Sequence, residues 1–182
     1  MYPDHGQLCP PSHRPGYGRS PASRAARRDV VRDSVTVHMA ASPAQVWPLV
    51  SDITRIGEFS PETFEAEWLG GATGPAVGAK FRGHVRRNQV GPVYWTTCRV
   101  EVCEPEREFA FTVLGPKGMR INRWGYRLEQ RDGGTDVTES FELSAILPLR
   151  LYWTALGWAR GRRNRNDMAT TLNRMKIAVE HG

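Results

Sequence analysis

The stretch DITRIGEFSPETFEAEWLGGATGPAVGAKFRG, residues 52–83, changes character three times. Ile53 and Ile56 continue an amphipathic helical pattern, and Gly57 is typical of a helix C-terminus. Pro61 favours an extended conformation at the residue before it, and an aromatic-rich run follows at 63–69. A loop of Gly, Ala, Thr and Pro, residues 70–78, separates this run from the next. The stretch predicts an abrupt passage from helix to β-sheet, and we expect this passage to form the mouth of a ligand cavity.

Upstream of this stretch, the pattern predicts one strand and a first short helix. Residues 34–39, SVTVHM, alternate between apolar and polar side chains, as in a half-buried strand. Ser42 is a suitable N-cap, and Pro43 suits the first helical position. Pro48 is unfavourable inside a helix, so we expect this helix to be short or bent there.

Downstream, the pattern is β up to residue 143 and helical after Pro148. Short turn-rich connections between consecutive strands predict an antiparallel meander. The six predicted strands are 63–69, 79–88, 92–104, 107–114, 119–130 and 135–143. The helical part carries two apolar stripes, and the polar run around Gly161 between them predicts a kink or a break. The stripes are Leu149, Trp153 and Leu156, then Met168, Leu172, Met175 and Val179.

Length and charge indicate one domain preceded by a tail. The chain has 182 residues, and residues 1–30 are rich in Pro, Gly, Ser and Arg, which predicts a disordered basic tail or a non-functional extension. The net charge of +6 is concentrated at residues 1–33 and 160–176. We therefore expect a folded domain at 34–180 without the continuous basic face of a specific nucleic-acid binder.

The cysteines and the apolar runs indicate a cytoplasmic protein. Three cysteines form no paired or metal-binding pattern, which favours a reducing compartment. The N-terminal residues lack the apolar run of a secretory signal, and no segment approaches the length of a membrane span.

Four phrases in this order resemble the START-like (SRPBCC) superfamily, within it the polyketide cyclase/dehydrase and lipid transport family of actinobacterial type. They are ASPAQVWPLVSDITRIGEFSPETFEAEWLGGATGPAVGAKFRG at 41–83, WTTCRVEVCEPEREFAF at 95–111, RWGYRLEQRDGGTDVTES at 123–140 and MATTLNRMK at 168–176. The resemblance implies an α+β helix-grip, in which a curved antiparallel β-sheet wraps around a long C-terminal helix, with two short helices after strand 1. It also implies a hydrophobic cavity between sheet and helix, but no single activity.

Alternation along the strands selects the side chains that would face this cavity. It places Arg120 and Val102 on the inner face and Ile121 on the outer face. Each aromatic residue is a candidate for the ordinary core or for the cavity wall. The candidate ligand-binding residues are Phe59, Phe64, Trp68, Phe81, Tyr94, Cys98, Phe109, Phe111, Asn122, Trp124, Tyr126, Glu139, Phe141, Trp153, Met168 and Leu172.

Glu139 breaks the apolar pattern of the last strand. Val137, Phe141 and Leu143 share its face, and a carboxylate there must be paired or protonated. Its possible partners are Arg120, Asn122, Tyr94 and Tyr126. Three roles remain open: a structural hydrogen-bonded carboxylate, a polar anchor for a ligand, or a general acid/base.

These patterns indicate a protein that binds, stores or transfers a small hydrophobic molecule such as a lipid, isoprenoid or polyketide. The alternative is a polyketide cyclase or dehydratase with Glu139 as the catalytic acid/base. No histidine shares the inner faces, and we expect neither a metal nor a cofactor. The sequence carries no pattern for an oligomeric state.

Two segments could govern access to the cavity. The loop 70–78 is either a mobile lid or plain hairpin. The segment 147–163 either packs on the core with a solvated basic end or makes transient contact with an anionic membrane while ligand is exchanged. A third function, an interaction protein acting through its basic tail and helix, predicts salt-sensitive binding to anionic vesicles or nucleic acid.

Overall fold

The computed structural model describes residues 32–86, 91–144 and 147–182, with the side chains of 147–161 excepted. Within these residues, seven strands form one antiparallel sheet in the order β1-β7-β6-β5-β4-β3-β2. The strands are β1 Arg32–Met39, β2 Thr63–Leu69, β3 Lys80–Arg86, β4 Val93–Glu104, β5 Glu108–Leu114, β6 Arg120–Arg131 and β7 Gly134–Leu143. The helices are α1 Pro43–Ser51, α2 Ile56–Phe59 and α3 Leu147–His181, with 3-10 turns at Ile53–Arg55 and Pro116–Gly118. The curved sheet and its C-terminal helix confirm the predicted helix-grip. The predicted tail, residues 1–30, lies outside the described residues.

A capping box starts α1 where the sequence predicts it. The Ser42 hydroxyl accepts from the Gln45 backbone N–H, and the Gln45 side chain accepts from the Ser42 N–H at 3.0 Å. These bonds satisfy two backbone donors at the helix N-terminus. The helix contains Pro48 and ends after nine residues, so the prediction of a short helix is confirmed.

Gly57 has a different role from the predicted helix stop. It lies inside α2, which continues to Phe59, and its φ angle is not in the left-handed region. A Cβ atom at this position would lie 2.2 Å from the carbonyl oxygen of Phe64. The residue is therefore required by the close approach of α2 to β2. The helix ends instead at Ser60, which is extended before Pro61, as predicted.

Two β-bulges reverse the predicted facing of single residues. One lies between Val100 and Val102 against β5, and beyond it Cys103 packs on the core in place of Val102. The other lies where β6 pairs with the end of β5. There Ile121 turns into the cavity, while the Arg120 guanidinium donates to Glu101 at 3.1 Å outside it. The predictions for Val102, Arg120 and Ile121 were wrong because an extra residue in one strand inverts the alternation.

Helix α3 runs without a break through Gly161, so of the predicted kink or break the break is absent. Its second apolar stripe is confirmed, since Met168, Leu172 and Met175 are each at most 1% exposed. The first stripe, including Trp153, lies outside the described side chains. Among the described helices, none combines the length and the apolar composition needed to cross a membrane.

Candidate functional site

A cavity of about 210 Å³ lies between the concave face of the sheet and α3. Strands β3 to β7 form its curved wall, α3 closes it from the other side, and residues 60–63 after α2 complete the lining. Ten of the sequence-predicted ligand-binding residues line it. These are Phe81, Tyr94, Cys98, Phe111, Asn122, Trp124, Tyr126, Glu139, Phe141 and Met168.

Six other predicted residues are not placed in the wall. Phe59, Phe109 and Leu172 are almost fully buried in the main core, and Trp68 packs against that core. Phe64 lies against His84, outside the cavity, and is 46% exposed. Trp153 lies outside the described side chains. Other residues of the stretch that was predicted to form the mouth do line the cavity: Ile56, Ser60, Pro61, Glu62 and Thr63.

Three polar residues of the cavity wall, all on α3, were not predicted from the sequence. Asn164, Asp167 and Thr171 all line the cavity. Their spacing of three and four residues places them on one helical face, beside the apolar stripe that begins at Met168. That spacing was the available signal.

Glu139 lies in the cavity wall and is 4% exposed. The β6–β7 register places it directly opposite Tyr126, whose hydroxyl donates to Glu139 Oε1 at 3.0 Å. Glu139 Oε2 is buried and has no hydrogen-bond partner among the described residues. Of the four predicted partners, Tyr126 makes this contact. The carboxylate is therefore anchored by one oxygen and presents the other.

Burial dominates the titration of this pair. It raises the pKa of Glu139 to about 8, and repulsion from Asp167 adds to the rise, while the Tyr126 hydrogen bond works against it. Burial and the neighbouring carboxylate together raise the pKa of Tyr126 well above its ordinary value. Glu139 is consequently protonated in a large share of molecules at neutral pH, whereas an exposed glutamate is ionised.

Asn122 is the second polar group on the inner face of β6. It is 9% exposed, and its Oδ1 atom has no hydrogen-bond partner among the described residues. The register pairs it with Leu143, so it lies two rows of side chains away from the Tyr126–Glu139 pair.

Aromatic rings make up much of the wall. Trp124 and Phe141 lie between the two polar positions with ring centroids 4.8 Å apart, and Phe81 meets Phe111 edge-on at 5.0 Å. Cys98 adds a buried thiol whose pKa burial raises to about 12, so it stays protonated and is a poor nucleophile. The part of the chain that the structure describes contains no group of three or more His, Cys, Asp or Glu side chains suited to a metal ion.

The glycine-rich loop 70–78 lies at the other end of the sheet. It joins the end of β2 to the start of β3, whereas Thr63, Val85 and Tyr94, which line the cavity, lie at the start of β2, the end of β3 and the start of β4. Its Gly78 N–H donates to the carbonyl of Val100 at 2.9 Å, and none of its residues lines the cavity. This location favours a plain hairpin over a lid.

Comparisons with known proteins agree with this architecture. A family model described as "Polyketide cyclase / dehydrase and lipid transport" matches residues 31–180. The NMR structure of the Polyketide_cyc-like protein Cgl2372 from Corynebacterium glutamicum is 29% identical, with a TM-score of 0.53, over 85% of this chain and 91% of that chain. No curated protein matches the sequence significantly.

Two aromatase/cyclase structures share the fold at lower identity. The Zhui aromatase/cyclase from Streptomyces sp. R1128 is 17% identical, with a TM-score of 0.60, over 83% of this chain and 94% of that chain. The di-domain ARO/CYC StfQ from the steffimycin biosynthetic pathway is 14% identical, with a TM-score of 0.62, over 86% of this chain and 53% of that chain. The match to residues 31–180, with the helix-grip and its cavity, establishes that the chain belongs to the polyketide cyclase/dehydrase and lipid transport family.

Proposed function

We propose that the protein binds a small, largely apolar molecule in this cavity and stores or transfers it, with Glu139 as the group that orients it. The observation that carries this proposal is the unpartnered Glu139 Oε2 in an otherwise aromatic wall. Lipids, isoprenoids and polyketides are the classes of molecule that suit such a wall.

Apolar burial would supply most of the affinity. A ligand that loses about 200 Å² of apolar surface to the wall gains roughly 5 kcal/mol, at about 25 cal/mol per Å². Such pockets commonly use one or two polar groups to fix the ligand's orientation. Glu139 and Asn122 are placed to act in this way because each presents an unpartnered buried atom.

Native mass spectrometry of freshly purified protein tests occupancy, and the neutral dye N-phenyl-1-naphthylamine tests binding in solution. We expect an adduct of a few hundred daltons that denaturation removes, and dye fluorescence that the purified ligand competes away. Val85→Trp should abolish dye binding because Val85 lines the cavity. Arg82→Trp, three residues away on the same strand and on its outer face, is the matched control. Absence of both adduct and dye binding, or dye binding that ignores Val85→Trp, would contradict the proposal.

The second candidate is an aldol-type cyclase or dehydratase, which the Tyr126–Glu139 contact favours. Glu139 in its ionised form would remove a proton from the carbon next to a substrate carbonyl, and a hydroxyl donor would stabilise the enolate oxygen. An enzyme of this kind should turn over a poly-β-ketone with a rate that rises through the Glu139 pKa of about 8 and is lost in Glu139→Gln. A carrier returns its ligand unaltered at every pH.

We place the protein in the cytoplasm. Cys98 and Cys103 are both free thiols, and unpaired cysteines are typical of reducing compartments. Fractionation with a compartment marker measures this directly.

A further inference from the structure

Three hydroxyl groups in the cavity wall donate hydrogen bonds to the protein. Tyr126 donates to Glu139 Oε1, Thr96 donates to the Gly83 carbonyl at 3.2 Å, and Thr171 donates to the Asp167 carbonyl at 2.9 Å. The two buried wall atoms without a partner among the described residues are both oxygens, Asn122 Oδ1 and Glu139 Oε2. A ligand that satisfies Asn122 Oδ1, together with Glu139 Oε2 in its ionised form, must therefore donate hydrogen bonds.

The charged side chains in the wall have one sign. Glu62, Asp167 and Glu139 line the cavity, and its described wall contains no Lys, Arg or His. Asp167, on α3, lies close enough to interact electrostatically with the other two carboxyl groups. It raises the pKa of Glu139 after burial does, and Glu62 raises the pKa of Asp167 in the same way. An anionic head group in this cavity would meet further repulsion, whereas a cation would relieve it.

An apolar surface for a flat molecule adjoins this acidic region. Trp124 and Phe141 face each other in the row of side chains next to Tyr126 and Glu139. An aromatic ring fits against such a pair by edge or offset contact. A charged amino group separated from that ring by one or two methylene groups would reach the row in which Glu139 lies, because successive rows on one face are about 7 Å apart.

We propose that the cavity selects an aromatic amine, bound with its ammonium group against Glu139 and Asp167 and its ring against Trp124 and Phe141. This inference rests on the proposed function, because it assigns the class of ligand that the same cavity takes. The ammonium group supplies N–H donors for the two unpartnered oxygens, and it supplies a positive charge, which the described wall lacks. Fatty acids and other anionic lipids are excluded by the same carboxyl groups.

Binding of such a cation should release a proton. The groups that face Glu139 are Tyr126 on β6 and Asp167 on α3, with Cys98 on β4 in the same wall; Glu62 and Arg163 act on Asp167. Pairing with ammonium favours the ionised carboxylate, so Glu139 gives up the proton that it holds at neutral pH in the empty protein. The affinity for the amine should therefore rise from pH 6 to pH 9. An alkyl amine with a pKa of about 10 stays largely charged over this range.

Three probes with one ring system test the charge preference: 2-(1-naphthyl)ethylamine, 2-(1-naphthyl)ethanol and 1-naphthaleneacetic acid. Titration calorimetry at pH 7.5 should give an affinity for the amine about tenfold or more above that for the alcohol, and weaker binding still for the acid. Calorimetry in two buffers of different ionisation enthalpy should show release of a sizeable fraction of one proton with the amine and none with the alcohol.

Variants locate the preference. Glu139→Gln keeps an acceptor for Tyr126 but removes the charge, so the amine and the alcohol should bind within about threefold of each other. Asp167→Asn should reduce the preference in part. Glu129→Gln is the matched control, since Glu129 is paired with Arg127 and Arg131 outside the cavity, and it should change nothing.

The outcomes separate this inference from the proposed function. Equal or tighter binding of the alcohol or the acid, absence of proton release, or an amine preference that survives Glu139→Gln would each overturn the amine assignment and leave the cavity as a ligand site. If none of the three naphthyl probes binds, the amine assignment falls. If the neutral dye also fails to bind, the proposed function falls with it.

Discussion

The folded protein can keep Glu139 buried mainly because the carboxyl group can be protonated. Its carboxyl group is buried and receives a single hydrogen bond, from Tyr126, and its pKa is raised from 4.5 to about 8. A second oxygen remains without a partner among the described residues. Burying an ionised carboxylate costs free energy unless both of its oxygens are paired. A group held at this cost is better suited to meeting a ligand than to stabilising the fold.

The raised pKa predicts a stability that falls as pH rises. Between about pH 4.5 and pH 8 the folded protein holds a proton on Glu139 that the unfolded chain has released, so the unfolded state binds fewer protons. The free energy of unfolding should then decrease by about 1.4 kcal/mol per pH unit from this group, and level off above pH 8. Glu139→Gln should lack this slope. Urea unfolding of both proteins at pH 5, 6 and 7 measures it.

Relative to Glu139→Gln, the wild-type chain should lose about 3 kcal/mol between pH 5 and pH 7. Tyr126 stays neutral over this range because its own pKa is raised. Glu129→Gln, at an exposed ion pair, should run parallel to the wild type. Parallel curves for wild type and Glu139→Gln would mean that Glu139 is ionised and paired in the folded protein.

At the scale of elements, alternation along strands predicted most of the sheet's contribution to the cavity. Phe81, Phe111, Trp124, Tyr126 and Glu139 face inward as their parity requires. The wrong facings of Val102, Arg120 and Ile121 have one physical origin. A bulge shifts the inward–outward alternation by one residue, and it leaves no signal in the composition. Ile121 therefore enters the wall in place of Arg120.

It was harder to predict which inward-facing residues line the cavity and which pack in the core. Parity says which face of a strand is buried, but it does not say which part of that face meets α3 directly and which part meets empty space. Phe109 and Phe111 share a face of β5, yet Phe109 packs on Trp47 of α1 while Phe111 lines the cavity. That division depends on where α1 and α3 cross the sheet, which is a property of the assembled fold.

The contact between α2 and β2 gives a prediction at this scale. Gly57→Ala would place a Cβ atom 2.2 Å from the Phe64 carbonyl oxygen, so α2 or β2 must move. We expect a loss of roughly 2 kcal/mol or more in the free energy of unfolding, since overpacking a tight contact typically costs 1–3 kcal/mol. Because Ile56 and Ser60 of the same segment line the cavity, a movement of α2 should lower the affinity for the dye as well.

Gly74→Ala is the control for this change. A Cβ at Gly74 has no atom within 4 Å, and its φ angle is not positive, so its stability should change by less than about 0.5 kcal/mol. Thermal and urea unfolding of both variants provide the comparison. Equal stability of Gly57→Ala and the wild type would contradict the close approach of α2 to β2.

At the scale of the whole molecule, the helix-grip divides its interior into two parts. Near the end of α3, Met175 and Leu172 pack with Met39, Val46 and Val137 in a dense core. Towards the start of the described α3 side chains, Met168 packs in a smaller cluster with Phe141 and Leu143, and it also lines the cavity. Among the described side chains, the dense core therefore lies against the C-terminal part of α3, and the cavity lies beside Met168.

The basic N-terminal segment, residues 1–30, lies outside the part of the sequence that the family model matches. The family match begins at residue 31, and residues 1–30 carry five Arg against two Asp. Each Arg or Lys near an anionic lipid surface contributes about 1 kcal/mol to binding. A chain that lacks residues 1–30 should keep its unfolding free energy and dye affinity, and its affinity for phosphatidylglycerol vesicles should fall about tenfold or more. Vesicle co-sedimentation at low and high salt measures the loss, with phosphatidylcholine vesicles as the neutral control. Retention of full vesicle binding would shift the membrane contact to the arginines of α3, and a loss of stability would make the segment part of the folded domain.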